Sequence, residues 1–363
     1  MVKQMYPKLT VNLQYFKENV AAMVERCNKH GIAIAGVIKG TTGFPQCAQM
    51  FKEGGAKMIA SSRLEQLEDI VEYGVDLPTM LLRIPMLSDV DEVVRICDIS
   101  LNSEVAVLKA LNDAAAKQNK IHKVIIMADV GDLREGFWDK DEMVEAAVFV
   151  ENELKNLDLA GVGMNVGCWG SIEPTPDNLN ELISIAERIE ARIGRELEYI
   201  SGGATSSLMR IMDGNIPKRI NMLRVGEGVL IARDLEEFYG YDLSKFCHDV
   251  VRLKAEVIEV KNKPSHPVGE IGVDAFGHKM EYEDRGMRKR ALLGVGKVDY
   301  GAPCDLIPME KGIEVLGASS DHTIIDIEDA EKDWKVGDIM EFDVNYATLV
   351  YLSNCRNVQI AYV

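Results

Sequence analysis

The sequence predicts an α/β fold: a (β/α)8 barrel followed by a mostly β C-terminal domain. Three observations carry this. Eight short apolar runs alternate with amphipathic, charged segments up to residue 232. Those runs are apolar on both faces, as strands of a parallel sheet covered by helices must be. Beyond residue 233 the texture changes to long β-rich stretches with few helical periods.

In chain order the eight candidate strands are IAIAGVIK (32–39), AKMIAS (56–61), TMLLRIP (79–85), CDISLN (97–102), HKVIIMADV (122–130), LAGVGMNV (159–166), EYISGG (198–203) and NMLRVGEG (221–228). Helical patterns lie between them, such as FPQCAQMFKEGG and NLNELISIAERIEARIG, the latter closing on Gly194 as a C-cap. Eight βα units in this length fit a barrel. An open doubly wound sheet is the alternative, but no G-x-G-x-x-G follows the first strand. The second domain is read from VVRLKAEVIEVKNKPSHPVGE, RALLGVGKV, HTIIDIED and GDIMEFDVNYATLVYL. The division is therefore 1–232 for the barrel and 233–363 for the β domain, with no long linker and no internal repeat.

The 363 residues are 47% hydrophobic, enough for a sizeable core. A net charge of -17 argues against a nucleic-acid partner, which calls for a basic face. No apolar run is long enough to span a membrane, and MVKQMYPKLTVNLQ has no apolar core of a signal segment. The seven cysteines are scattered without a C-x-x-C pair, so no zinc site or disulfide framework is expected, and no metal. Free thiols fit a cytoplasmic protein.

In such a barrel the chemistry sits at the C-terminal strand ends. Lys39 ends the first strand, where a lysine is rarely buried without a use. Arg134 follows the fifth in ADVGDLREG, Asn165 ends the sixth, and Arg224 lies in the eighth. The seventh ends in SGGATSS, whose glycines let a ligand approach the backbone and whose hydroxyls and amides suit a phosphate. A helix cap on a tight turn is the plainer reading. RVGEG supplies a second glycine-rich end beside it. A strand-end lysine, a phosphate site and no metal cluster together point to pyridoxal 5'-phosphate held as a Schiff base. An ion pair lining the barrel mouth is the plainer reading of Lys39.

Several motifs occur together in order: AGVIKG, DVGDLREG, LRVGEG, VGKVD, GASSDHTIIDI and VNYATL. With them the chain resembles the alanine racemase family of barrel-type pyridoxal-phosphate enzymes over nearly its whole length. It is most similar to the ornithine racemase branch, through LLRIPMLSDVDEVV, DISLNSE, GEIGVDAFG and DRGMRKRA. The resemblance implies an isomerase that exchanges the Cα proton of ornithine between two bases. Racemases of lysine, alanine or broad specificity are the alternatives, with a basic amino-acid decarboxylase behind them. A decarboxylase would be expected to carry a Gly-Gly-Gly phosphate loop and a late Cys-Asp pair; Cys304-Asp305 lies away from that place.

The roles the resemblance implies are these. Lys39 anchors the cofactor and is one catalytic base. Arg224 faces the pyridine nitrogen, and since arginine keeps its proton, the electron sink stays shallow. Gly203, Thr205 and Ser206, with the Gly226 and Glu227 amides, hold the phosphate, and Tyr346 adds its hydroxyl. Asn165 takes the place of a ring-stacking histidine. Arg134 steadies the substrate carboxylate or the cofactor oxygen, and Ser320 and Asp321 join it in binding substrate. The family's tyrosine four residues after the lysine is Gly43 here, and its opposite-face tyrosine is Lys297. Lys297 is thus the expected second base, with Tyr300, His322 and Cys168 as other candidates. A substrate ammonium would meet Asp274, Asp284, Asp299 or Asp321. The family also implies a homodimer with shared active sites acting on a small amino acid.

Overall fold

The computed structural model describes residues 5–302 and 306–363; Cys304 and Asp305 lie outside them. The chain forms two compact units, one of residues Leu13–His248, the other of Asp249–Val363 together with the N-terminal segment ending at Asn12.

The first strand, β1 (Lys8–Val11), belongs to the second unit. The eight that follow close a parallel barrel in sequence order: β2 (Ala33–Val37), β3 (Met58–Ser61), β4 (Thr79–Leu81), β5 (Ile99–Asn102), β6 (His122–Ala128), β7 (Leu157–Met164), β8 (Tyr199–Ser201) and β9 (Met222–Val225). Each overlaps its expected segment. The ring closes where β2 pairs with β9, Ala35 opposite Arg224. Side chains alternate along a strand, so every second residue points inward. Ala35, Val37, Met58, Ala60, Met80, Ile99, Leu101, Ile125, Met127 and Met222 fill the interior. Two residues beyond Met222 stands Arg224, and two beyond Tyr199 stands Ser201. Polar groups therefore begin where the apolar layers stop.

Gly36 interrupts β2 for a packing reason. A Cβ there would lie 2.4 Å from the ring of Phe51, on the helix Pro45–Glu53 that returns from the strand. Phe51 in turn meets Phe16 of the helix Leu13–Asn28 edge to face, with centroids 5.0 Å apart. The helix Pro176–Ile193 ends on Gly194 in the left-handed region, φ 75°, as its sequence predicts.

The barrel unit runs past residue 232. Leu235, Leu243 and Phe246 are buried. Asn19 fixes this tail: its amide donates to Val229 O at 3.1 Å and Cys247 O at 2.9 Å, and its carbonyl accepts from Cys247 N at 2.8 Å. The break thus falls after His248, where the composition shift at 232/233 had suggested an earlier one.

In the second unit β1 is joined by β10 (Val251–Pro264), β11 (Met287–Leu293), β12 (Leu306–Pro308), β13 (Glu314–Ala318), β14 (Thr323–Asp326), β15 (Ile339–Val344) and β16 (Gln359–Tyr362). The order β12-β15-β10-β11-β14-β13 is antiparallel, with β1 inserted between β10 and β16. The buried Arg252 donates to Asp343 at 2.5 Å, and Arg288 grips Asp326 through two bonds of 2.9 and 3.2 Å. Buried charges need such partners.

Candidate active site

Strand β2 ends at Val37, and Lys39–Thr41 forms a single 3-10 turn. The turn is closed by Thr42 and Gly43 in the left-handed region, φ 49° and 75°, and by Gly43 N–H donating to Ile38 O at 3.1 Å. Pro45 then opens the next helix. No side chain fits at position 43: a Cβ would lie 2.5 Å from that of Gln66. Gln66 is itself fixed by Ser61 Oγ at 2.5 Å. The missing tyrosine is therefore a packing requirement of this turn.

Burial holds the Lys39 amine below the ordinary lysine range, and the Arg134 and Arg224 cations push the same way; Cys168 and Glu135 oppose them. A lysine poised toward its neutral form is nucleophilic and able to take up a proton. Arg224 is 4% exposed. It donates to Ser201 Oγ at 2.5 Å, to Met164 O at 2.8 Å and to Asn165 Oδ1 at 3.4 Å. Among the described residues it has no carboxylate within ion-pair distance. Burial brings its pKa down to about 10, so it remains a cation at neutral pH.

Two glycine-rich ends meet beside it. Gly203 has φ 116°, and a Cβ there would strike Ser207 Oγ at 2.4 Å. Thr205 begins the 3-10 turn Thr205–Ser207 and accepts from Gly228 N at 3.2 Å, joining the loop after β8 to the loop after β9. Ser206 Oγ donates to Val166 O at 3.0 Å. Gly226 lies against β2, its Cβ position 2.8 Å from Val37 O. Glu227 turns its carboxyl inward, toward the amides of Arg233 and Asp234. Burial raises that carboxyl to about 8, and one of its oxygens has no partner.

The loop between β6 and the helix Lys140–Glu153 supplies Arg134. Asp129 accepts from Gly131 N at 2.9 Å and Leu133 N at 3.1 Å. Asp132, 1% exposed, accepts from Gly167, Trp169 and Gly170 N at 3.0 to 3.1 Å. It thereby holds the loop after β7, which carries Asn165 and Cys168. Arg134 bonds Glu135 through two nitrogens, Nη2 to Oε1 at 2.6 Å, and the carboxylate holds its guanidinium charged. The sequence reading missed Asp132, Glu135 and Ser201, although DVGDLREG and the Ser before Gly-Gly display them.

In the second unit Lys297 opens the turn Lys297–Tyr300. Its amine lies 3.9 Å from Asp274 Oδ2 and 3.9 Å from the ring centre of Phe276. Lys297 N donates to Ser319 O and Val298 N to Ser320 O, at 3.0 and 3.1 Å. Gly296 permits this approach, since a Cβ there would lie 2.2 Å from Ser320 O. Tyr300 is fully buried, bonded to Thr323 Oγ1 at 2.7 Å, and burial raises it to about 12. It is a packing residue, not an accessible base. Asp299 is likewise committed, accepting from Gly296 N at 2.9 Å beside Cys355 and Asn357. Asp321 and His322 are exposed; Tyr346 is half-buried at the start of the helix Tyr346–Asn354.

The barrel site suits a flat anionic cofactor bearing a phosphate and an aldehyde. It offers a half-buried lysine amine, a buried guanidinium with no carboxylate at ion-pair distance among the described residues, and a glycine cradle. It also offers the Asn165 amide nitrogen, which is buried without a partner.

Residues 11–234 match the family model described as "Alanine racemase, N-terminal domain". The chain belongs to this family. Over 95% of its length this alanine racemase family member is 42% identical to an ornithine racemase of Acetoanaerobium sticklandii, covering 96% of that protein. It is 38% identical to a lysine racemase of Thermotoga maritima, covering 95% of each chain. The crystal structure of alanine racemase from Streptomyces lavendulae shares its fold, with TM-score 0.78 over 100% of this chain and 98% of that one, at 18% identity.

Proposed function

We propose that this chain is a pyridoxal-phosphate-dependent ornithine racemase. The observation that carries the reading is the barrel-mouth set of Lys39, Arg224 and the two glycine-rich loops, in a chain 42% identical to an ornithine racemase over almost its whole length. Lysine is the second substrate reading, favoured by the 38% identity to a lysine racemase.

Lys39 would hold the cofactor through its amine. Gly203, Thr205, Ser206 and the amides of Gly226 and Glu227 bind the phosphate, with the Tyr346 hydroxyl as a further donor. When bound, the cofactor supplies the electron sink that acidifies the substrate's Cα proton. Arg224 would be the cationic partner of the cofactor ring and, keeping its own proton, would favour proton exchange over side reactions. Asn165 donates its otherwise unpartnered amide. Arg134 orients the substrate carboxylate, with Ser320 and Asp321 as further substrate contacts. Lys39 removes or returns the Cα proton on one face, and Lys297 serves the other. The working form is a cytoplasmic homodimer in which both subunits contribute to each site.

Incubating the purified protein with L-ornithine, L-lysine and L-alanine in D2O, while following Cα exchange and optical rotation, tests this. Exchange should be fastest with ornithine. Lys39→Ala should abolish the yellow cofactor absorbance. Lys297→Met should slow racemisation in both directions by about 10²- to 10⁴-fold. Carbon dioxide release, a preference for alanine, or a protein that stays colourless with added cofactor would overturn the reading.

A further inference from the structure

We propose that Glu135 reads the distal ammonium of a diamino-acid substrate, and that its ion pair with Arg134 is the resting form of that subsite. The proposal rests on the racemase reading and adds the group that recognises the far end of the substrate.

The loop after β6 carries four carboxylates, of which Asp139 caps the following helix, accepting from Asp141 N at 2.8 Å and Glu142 N at 3.0 Å. Asp129 is 7% exposed and spent on two loop amides; Asp132 is 1% exposed and spent on three. Glu135 is different. The bonds shown for its carboxylate come from the Arg134 side chain, and it is 18% exposed where Arg134 is 41% exposed. It can change partner while its backbone stays fixed. Leu133 and Gly136 hold φ of 57° and 125°, and a Cβ at 136 would strike Asp129 N at 2.4 Å. Phe137 N bonds Met127 O at 2.8 Å, returning the loop to its own strand.

Charge balance points the same way. The ionisable groups that act most on Lys39 are Cys168, Arg134, Arg224 and Glu135, of which Glu135 is the one carboxylate. It bears on Arg224 as well. A substrate ammonium arriving among these cations has Glu135 as its counter-ion. The substrate's own carboxylate then takes Arg134, and one internal pair is exchanged for two pairs with substrate. A monoamino acid of equal length takes Arg134 but leaves Glu135 stranded, and an unpaired, partly buried charge is what rejects such an analogue.

The test compares L-ornithine with L-norvaline, which has the same carbon chain and no terminal amine, on the holoenzyme and its Glu135→Gln form. The ornithine-to-norvaline ratio of kcat/KM should fall about 10- to 100-fold. The loss should lie chiefly in KM, and calorimetric affinity for ornithine should fall in parallel. Glu135→Asp, which retains the charge on a shorter stem, should retain selectivity for an ammonium and shift preference from ornithine toward lysine. If glutamine lowers both substrates equally, or leaves the ratio unchanged, the proposal is overturned. If the wild type does not turn over ornithine at all, the substrate reading fails instead.

Discussion

Glu227 shows how the site's backbone is secured by a side chain that faces away from it. Its carboxyl is buried, keeps one oxygen unpartnered, and is raised to about 8. A carboxyl raised in the folded state binds more protons there than when unfolded, so stability falls as pH rises from the ordinary value of 4.5 through about 8. Urea midpoints should therefore decline across that window by an amount worth a few kcal/mol. Glu227→Gln should flatten the profile and be the more stable form above pH 8; an unchanged slope would refute this. At this scale the sequence showed which residues cluster at the strand ends, Lys39 in the turn just past β2 and Arg224 next to last in β9. It did not show what each side chain was spent on. Tyr300 and Asp299 looked available as base and ammonium partner, yet their bonds to Thr323 and Gly296 are set by neighbours the sequence does not place side by side.

The loops behave as coupled elements. Asp132 sits after β6 but organises residues 167–170 after β7, so two strand ends move as one. In Asp132→Asn the side-chain amide N–H group would face a backbone donor. The variant should lose about 1–3 kcal/mol of stability, and amides 165–170 should exchange faster with solvent. Unaltered protection there would exclude the clamp. Strand positions were legible because an apolar run between charged helices has few other interpretations. The clamp was not, because ADVGDLREG and GVGMNVGCWG come together only once the barrel has closed. Gly43 is intermediate: the sequence showed that the family's tyrosine was absent, and the turn against Gln66 shows why.

Across the whole molecule, the barrel and the β-rich unit were both foreseen, but not the placement of the first strand. KLTV carries no mark that its partners are Val251–Lys254 on one side and Gln359–Tyr362 on the other. The hydrogen bond from Thr10 to Arg252 O spans 242 positions of sequence. Removing residues 1–12 should leave the barrel's amide protection largely intact while β10 and β16 lose theirs, as hydrogen exchange would report; equal loss in both units would contradict it. There is also a consequence for synthesis on the ribosome. Strand β1 emerges long before β16, yet they are neighbours. The barrel's own residues are complete more than a hundred residues before that partner exists. The N-terminal strand must then wait, unpaired on that edge, until residues 359–362 have been made. A nascent chain stalled once His248 has cleared the ribosome should hold a folded barrel and residues 1–12 still open to protease.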